Sequence, residues 1–395
     1  MNIWFILMQF PAPREIFVNN DVVTLNRFGY NISVHSLRTR YKLNNKLIAE
    51  RKLTPIKKTY NSLGNSFYGI IFGFLNPQKF FTLLYFIIKN HCLNLSHLLK
   101  SLILLPRVLQ LFSEFEKKLP EVVHLYWAHY PSLMGYLVKK YYPKTILSMN
   151  FVAYDLHQSF KGSLIVADMA DCVFSITKFD RKTLINLGIS ADKIMTIYHG
   201  LTPDIFDYSR KEKIKNRIVS VGAFIPGKNM DKVIMVFSRV QKKHTDVSLV
   251  ILGDGPMMNE ARKLVRELRL NNVIFMGHVS HKDVIEQMSV AEVFLFLSQN
   301  ERIPNVVKEA MSQRCVCIIS KSPGIEELIK SDDCGIVLKS NENELVCDEV
   351  DSVLNNYDLY SKITDNAFSF VKKCFNAENS VRKMLSAWQI NKRDS

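Results

Sequence analysis

Short, nearly unbroken apolar runs recur along the chain, with amphipathic stretches between them. In the first half they are IWFILMQF, NISVHSL, VVHLYW, TILSMNF and CVFSI; in the second, RIVSVGAF, SLVILGDG, NVIFMGHV, VFLFLS and VCIISK. Apolar runs of this length separated by helical segments predict parallel strands covered on both faces. The pattern implies two doubly wound α/β domains in series, residues 1–200 and 215–375. A mainly helical insertion, about residues 45–118, separates the second and third runs. The joint falls in HGLTPDIFDYSRKEKIKN, residues 199–216, which is polar, turn-rich and charged. Residues 376–395 read as a terminal helix that crosses back to the first domain. Ser280 with Asp283 predicts a helix start after VIFMGHV, and Pro304 suits the first turn of another.

Composition adds bounds. A chain of 395 residues exceeds what one core usually organises, and 47% hydrophobic with 23% charged residues is ordinary globular usage. Seven cysteines without paired or metal-type spacing point to a reducing compartment. Cys315 and Cys317, inside CVCIIS, read as small buried residues of a strand. No stretch reads as a transmembrane helix, because residues 67–88 are broken by Asn76-Pro77-Gln78-Lys79. The opening IWFILMQF lacks a basic leader and reads as a buried strand, so a cytoplasmic protein is expected.

Net charge is +15 and unevenly spread. Arg38, Arg40, Lys42, Lys46, Arg51, Lys52, Lys57 and Lys58 face the single acid Glu50, and an aromatic, apolar region follows. Basic residues beside aromatics suit an anionic membrane surface, such as the inner face of the cytoplasmic membrane. The alternative is a solvated basic loop beside core helices. Nucleic acid ranks last, for want of a compact reader motif.

The stretch richest in chemistry is VFLFLSQNERIPNVVKEAM, residues 293–311. A buried strand ends at Ser298, a loop follows, and a helix starts near Pro304. Ligands of doubly wound domains bind at this carboxyl edge. Free N–H groups near Asn305 and Val306 favour an anion such as a diphosphate, with Ile303 and Pro304 among the residues lining the donor. Glu301 precedes the helix. Glu309 lies roughly 7–8 Å along it, and helical side chains lean back toward the N-terminus. A diphosphate at the helix start would have a carboxylate for hydroxyls on each side.

VGAFIPGKNMD, LVILGDGP, VIFMGHVS and SPGIEELI occur in order around this stretch. Together they resemble the donor domain of the family-4 retaining glycosyltransferases of the GT-B fold (glycosyl transferases group 1). QFPAPREIFVNNDVVTLNRFGYNISVHSLR, VVHLYWAHYPS, ILSMNFVAYDLH, ADMADCVFSITKFDRKTLINLG and HGLTPDIF are similar to the family's acceptor domain and hinge. The resemblance covers most of residues 1–340, least specifically in the insertion. It implies two Rossmann-like domains facing each other across a cleft.

By that resemblance Glu301 would hold hydroxyls of the transferred sugar, Glu309 the ribose, and Lys228 the diphosphate. The backbone at His278 and Val279 would border the base, and Gly222 and Gly324 would let main chain approach the ligand. Catalysis would fall to Glu301, Lys228 and His129; for His129 the competing reading is a satisfied histidine at a strand end. Arg14, Glu15 and Asp155 would meet the acceptor, Asp155 also being placed to orient a neighbouring backbone. His199 and Gly200 look structural. The chain departs from the family at Ala223, where an arginine is usual, and at Val152, where a histidine is common. Arg302, at a family glycine, either restores the lost charge or is a solvated loop residue.

The resemblance implies a retaining transferase. It would move a sugar from a nucleotide diphosphate, UDP before GDP, to a lipid-linked or surface-polysaccharide acceptor such as a lipopolysaccharide intermediate. No Asp-x-Asp occurs at a strand end, so neither a metal nor another cofactor is expected. A nucleotide-sugar 2-epimerase on the same fold is an alternative, as is a catalytically weakened nucleotide-sugar-binding protein.

Overall fold

The apolar runs become parallel strands. The computed structural model describes the chain except residues 14, 159, 207–210, 300, 330–332 and 394–395. The first unit comprises Met1–Gly200 and Ala377–Ser395. Along it run β1 (Asn2–Leu7), α1 (Ile16–Arg27), β2 (Asn31–Thr39), α2 (Asn44–Glu50), β3 (Lys57–Asn61), α3 (Leu63–Leu75), α4 (Pro77–His91) and α5 (Leu95–Lys118). Then come β4 (Val122–Leu125), α6 (Ser132–Tyr141), β5 (Ile146–Phe151), α7 (Ala153–Gln158), α8 (Lys161–Met169), β6 (Cys172–Ser175), α9 (Lys178–Asn186) and β7 (Ile194–Thr196).

The sheet order is β3-β2-β1-β4-β5-β6-β7, with parallel register from Ile6↔His35 on one side of β1 to Ile6↔Leu125 on the other. The chain winds outward from β1 to β3, then returns to β4 and winds the other way. Alternation along β1 sends Ile3, Phe5 and Leu7 into one core layer and Trp4 and Ile6 into the other.

The second unit is Leu201–Asn376. It runs α10 (Pro203–Phe206), β8 (Ile214–Val221), α11 (Met230–Lys243), β9 (Ser248–Leu252), α12 (Met258–Glu267), β10 (Val273–Gly277), α13 (His281–Val290) and β11 (Ala291–Phe296). It continues through α14 (Asn305–Ser312), β12 (Val316–Ser320), α15 (Ile325–Leu328), β13 (Ile336–Leu338), α16 (Asn343–Asn355) and α17 (Ser361–Cys374). Its sheet order, β10-β9-β8-β11-β12-β13, reverses between β8 and β11. The last helix, α18 (Ala377–Arg393), belongs to the first unit. There Trp388 is fully buried and donates its indole N–H to Ser148 Oγ at 2.9 Å, and Ser380 Oγ donates to Tyr198 O at 2.6 Å.

Several expectations need correction. The insertion is mainly helical as expected, but KKTYN within it forms β3 at the sheet edge, and the three-residue β7 and β13 also escaped the apolar pattern. Helix α5 is long and apolar enough to cross a membrane by composition, although half of its apolar window is buried against the first unit's core. Pro304 sits at the N-cap of α14, one place before the first turn. The Ser280–Asp283 capping box forms as expected. Cys315 and Cys317 are buried as expected, and burial pushes both thiols up.

Candidate functional site

In the second unit the loops leaving β8 and β11 lie side by side, because these strands pair and the winding reverses between them. That reversal leaves a crevice at the carboxyl edge. The two loops are joined by main-chain and side-chain bonds. Gln299 N–H donates to Gly227 O at 2.8 Å, and Asn229 Nδ2 donates to Leu297 O at 2.8 Å. The turn needs left-handed backbone at Gly227 (φ +83°) and at Asn229 (φ 51°). It delivers Lys228 to Glu301, where Nζ donates to Oε1 across 73 positions of sequence. Ser298 Oγ donates to the same oxygen at 2.6 Å. Both side chains are partly exposed, 31% for Lys228 and 18% for Glu301, so a ligand can reach the pair.

Helix α14 starts beside this pair. Pro304 gives it no side-chain cap, so its first-turn N–H groups, from Asn305 and Val306, suit an anion. Ile303 and Arg302 are half-buried in the loop before it. Glu309 is buried, and its Oε1 lies 3.0 Å from His281 Nε2 on α13. His278 is exposed and Val279 half-buried in the turn leading to α13. Ala223 follows β8 and brings no charge to the crevice. Gly324 has φ +88°, and a Cβ there would lie 2.9 Å from Arg302 O. Gly222 is less constrained than expected, since a Cβ on it would meet only the terminal methyl of Met230. The demanding glycine is Gly253, at φ +133°, whose Cβ would fall 1.8 Å from Gly222 O.

The first unit repeats the arrangement at the ends of β1 and β4, where its own winding reverses. His129 Nδ1 lies 2.9 Å from Asp155 Oδ1. Asp155 Oδ2 accepts the Val152 N–H at 3.1 Å, so this buried carboxylate orients both a backbone turn and the histidine. Glu15, at the end of the β1 loop, receives the Trp127 indole N–H. Burial drives its pKa from 4.5 to about 7, against the pull of Trp127, Arg51 and Arg38. Arg51 anchors that loop by donating to Ala12 O at 2.8 Å and Pro13 O at 2.7 Å. Arg14, expected beside Glu15, lies outside the described residues. Val152 is buried, and His199 stacks on Phe17 with ring centroids 4.3 Å apart, a structural place.

The sequence reading missed His281, Ser298, Trp127 and Gly253. His281 directly follows the Ser280 cap, which was the available signal. Its partner stands 28 positions away, and only the fold joins them. Among the described residues no group of His, Cys, Asp or Glu is arranged to hold a metal ion.

Residues 202–370 match the family model described as Glycosyl transferases group 1. An uncharacterized glycosyltransferase of Haemophilus influenzae is 24% identical over 294 residues, 74% of this chain and 75% of that protein. The Campylobacter jejuni N-acetylgalactosamine-N,N'-diacetylbacillosaminyl-diphospho-undecaprenol 4-alpha-N-acetylgalactosaminyltransferase is 31% identical over 187 residues, 45% of this chain and 49% of that protein. HepE of Anabaena, solved with UDP, superposes with a TM-score of 0.72 at 14% identity, covering 98% of this chain and all of that one. The architecture is the GT-B fold, two Rossmann-like halves each built on a parallel sheet.

Proposed function

We propose that this chain, a glycosyltransferase of the group 1 type, takes a sugar from a UDP-sugar and passes it, with retention, to a lipid-linked glycan of surface-polysaccharide assembly. The observation that carries the donor half is the Lys228–Glu301 pair, held by Ser298 at the β8/β11 reversal beside the start of α14. A diphosphate in that crevice draws Lys228 Nζ to its oxygens and meets the N–H groups of α14. Glu301, released from the lysine, then accepts hydroxyls of the sugar. Glu309, steadied by His281, accepts from the ribose.

Breaking the bond from anomeric carbon to phosphate oxygen develops negative charge on the leaving group. Lys228 and the helix start are fixed in place to meet that charge, so transfer needs no metal. Arg302 supplies the charge that Ala223 does not, from the loop between Glu301 and α14. Retention follows from attack by the acceptor hydroxyl on the face the diphosphate leaves. The leaving phosphate oxygen takes the proton of that hydroxyl.

The acceptor half is supported by the β1/β4 crevice, where Glu15, Trp127 and His129 gather, and by the Campylobacter relative, whose name describes an undecaprenol-linked acceptor. HepE, solved also with UDP-glucose, favours the uridine donor.

A thermal-shift screen of nucleotides and nucleotide sugars tests the donor class. UDP and one UDP-sugar should raise the melting temperature, because a ligand that binds only the folded state stabilises it. A shift with GDP and none with UDP would reassign the base. Arg302→Ala should lower kcat several-fold if its guanidinium faces the diphosphate, and an unchanged kcat would return Arg302 to solvent.

A further inference from the structure

Helix α3 is inverted relative to an ordinary surface helix. Such a helix turns its bulky apolar stripe to the core. Among its described residues α3 buries Gly69 and Gly73, while Phe67, Phe74 and Leu75 are 65%, 81% and 76% exposed. The glycines face α5: a Cβ on Gly69 would fall 1.8 Å from Pro106 O, and one on Gly73 would lie 3.1 Å from Leu109 Cδ1. This close main-chain contact fixes the opposite face outward. Positions 67, 70, 71, 74 and 75 recur at helical spacing and form one stripe. Helix α4 continues the theme one turn apart with Phe81 and Tyr85, 61% and 62% exposed.

The charge carried by these helices has one sign, and the acids of the neighbouring α5, Glu116 and Glu114, are paired with Lys79 and Lys118. No Asp or Glu occurs between Glu50 and Glu114. Lys57 and Lys58 lie in β3, the element before the helix pair. Lys117 lies 5.7 Å over the Tyr68 ring, and Lys89 lies 5.6 Å over the Tyr85 ring. Lysines beside tyrosines at the margin of an apolar face match the chemistry of a headgroup layer.

We propose that the outward faces of α3 and α4 dock into the headgroup and upper acyl region of an anionic lipid leaflet. The pair lies in the interface and does not cross it. Its arms meet at 109°, and each is only ~20 Å long where a span needs ~30 Å. A second copy of the chain is a poor occupant. A twofold contact would set this acid-free, lysine-bearing face against itself in a protein of net charge +15. Anionic lipid brings both the apolar depth and the missing negative charge. The surface uses no residue of the donor site, and it stands whether or not a nucleotide sugar is the substrate.

The full-length chain is co-sedimented with phosphatidylglycerol/phosphatidylethanolamine vesicles and with phosphatidylcholine vesicles. Partition onto the anionic vesicles should be stronger by roughly ten-fold or more, and 0.5 M salt should weaken it. The double variant Phe67→Ser, Phe74→Ser should lose that binding while its affinity for UDP stays that of the wild type. Phe74→Trp should blue-shift its emission on vesicle addition and be quenched by brominated acyl chains. Equal binding to both vesicle types, vesicle binding kept by the double variant, or an unquenched tryptophan would overturn the proposal. So would a lipid-free wild-type dimer that the double variant turns into a monomer, which would assign the face to a second copy. If UDP fails to bind while the vesicle results hold, the donor reading falls and this surface remains.

Discussion

Both units place their candidate residues where the winding of a parallel sheet reverses, yet the two crevices are built from opposite chemistry. At β8/β11 a lysine and a glutamate neutralise each other in partial contact with solvent, next to a helix start. At β1/β4 a glutamate that accepts from Trp127 is desolvated enough by burial to bring its pKa to about 7. Fold geometry fixes where each site lies, and side chains decide what it takes. On the proposed reading the first crevice takes a polyanion, whose charge replaces Glu301 at Lys228. The second, on the same reading, takes neutral hydroxyl-bearing groups, and its Glu15 holds a proton near neutral pH.

Removing the lysine tests the contrast most severely. Lys228→Ala should lower kcat by about a hundred-fold or more, as loss of a fixed charge at a leaving group does. Its melting temperature should stay near that of the wild type, since the lost ion pair is partly solvated. Steady-state kinetics beside calorimetry reads both, and a catalytically competent variant would deny the β8/β11 crevice its anion.

Gly253→Ala attacks the backbone beneath that crevice. A Cβ at 1.8 Å from Gly222 O and a φ of +133° force the β8 and β9 loops apart. A stability loss of about 2–4 kcal/mol by denaturant titration is expected, with donor binding weakened in step. A wild-type midpoint would show that the close approach is not required.

Glu309→Ala should raise the KM for donor by roughly ten-fold, the size of one lost charge-assisted hydrogen bond to ribose. His281→Ala should move KM in the same direction by less. Wild-type donor kinetics in Glu309→Ala would remove the ribose assignment.

The last effect concerns Glu15 and is read in stability alone. Its folded pKa lies above the free value, so the protein holds that proton more tightly when folded. The stabilisation is complete below pH 4.5 and is lost as pH rises through about 7. Glu15→Gln, which stays neutral, should gain on the wild type by on the order of 1–3 kcal/mol between pH ~5 and pH ~8. Parallel stability curves for the two proteins across that range would mean that Glu15 is not desolvated.

Much of this was legible in the chain. Long apolar runs marked the central strands because doubly covered strands are apolar on both faces. Glu301 and Glu309 stood out because loop and helix-start positions follow directly from a strand end, whereas Lys228 stood out through the family resemblance of VGAFIPGKNMD. What escaped has physical causes. KKTYN is an edge strand, half wetted, and carries no apolar pattern. His281 becomes a partner of Glu309 only through packing of α13 on α14. The pKa of Glu15 depends on burial that no local pattern reports. The outward stripe of α3 could not be picked from a composition that is apolar all round, because which face the glycines would choose is a property of the contact with α5.

The central claim is that the β8/β11 crevice grips a diphosphate through Lys228. Isothermal titration of wild type and Lys228→Ala with UDP and with UMP tests it directly. The account predicts that the wild type prefers UDP to UMP by roughly ten-fold or more, the worth of one charge-assisted contact, and that Lys228→Ala loses the preference. Equal affinities for UDP and UMP in the wild type, or an undiminished preference in the variant, would contradict it.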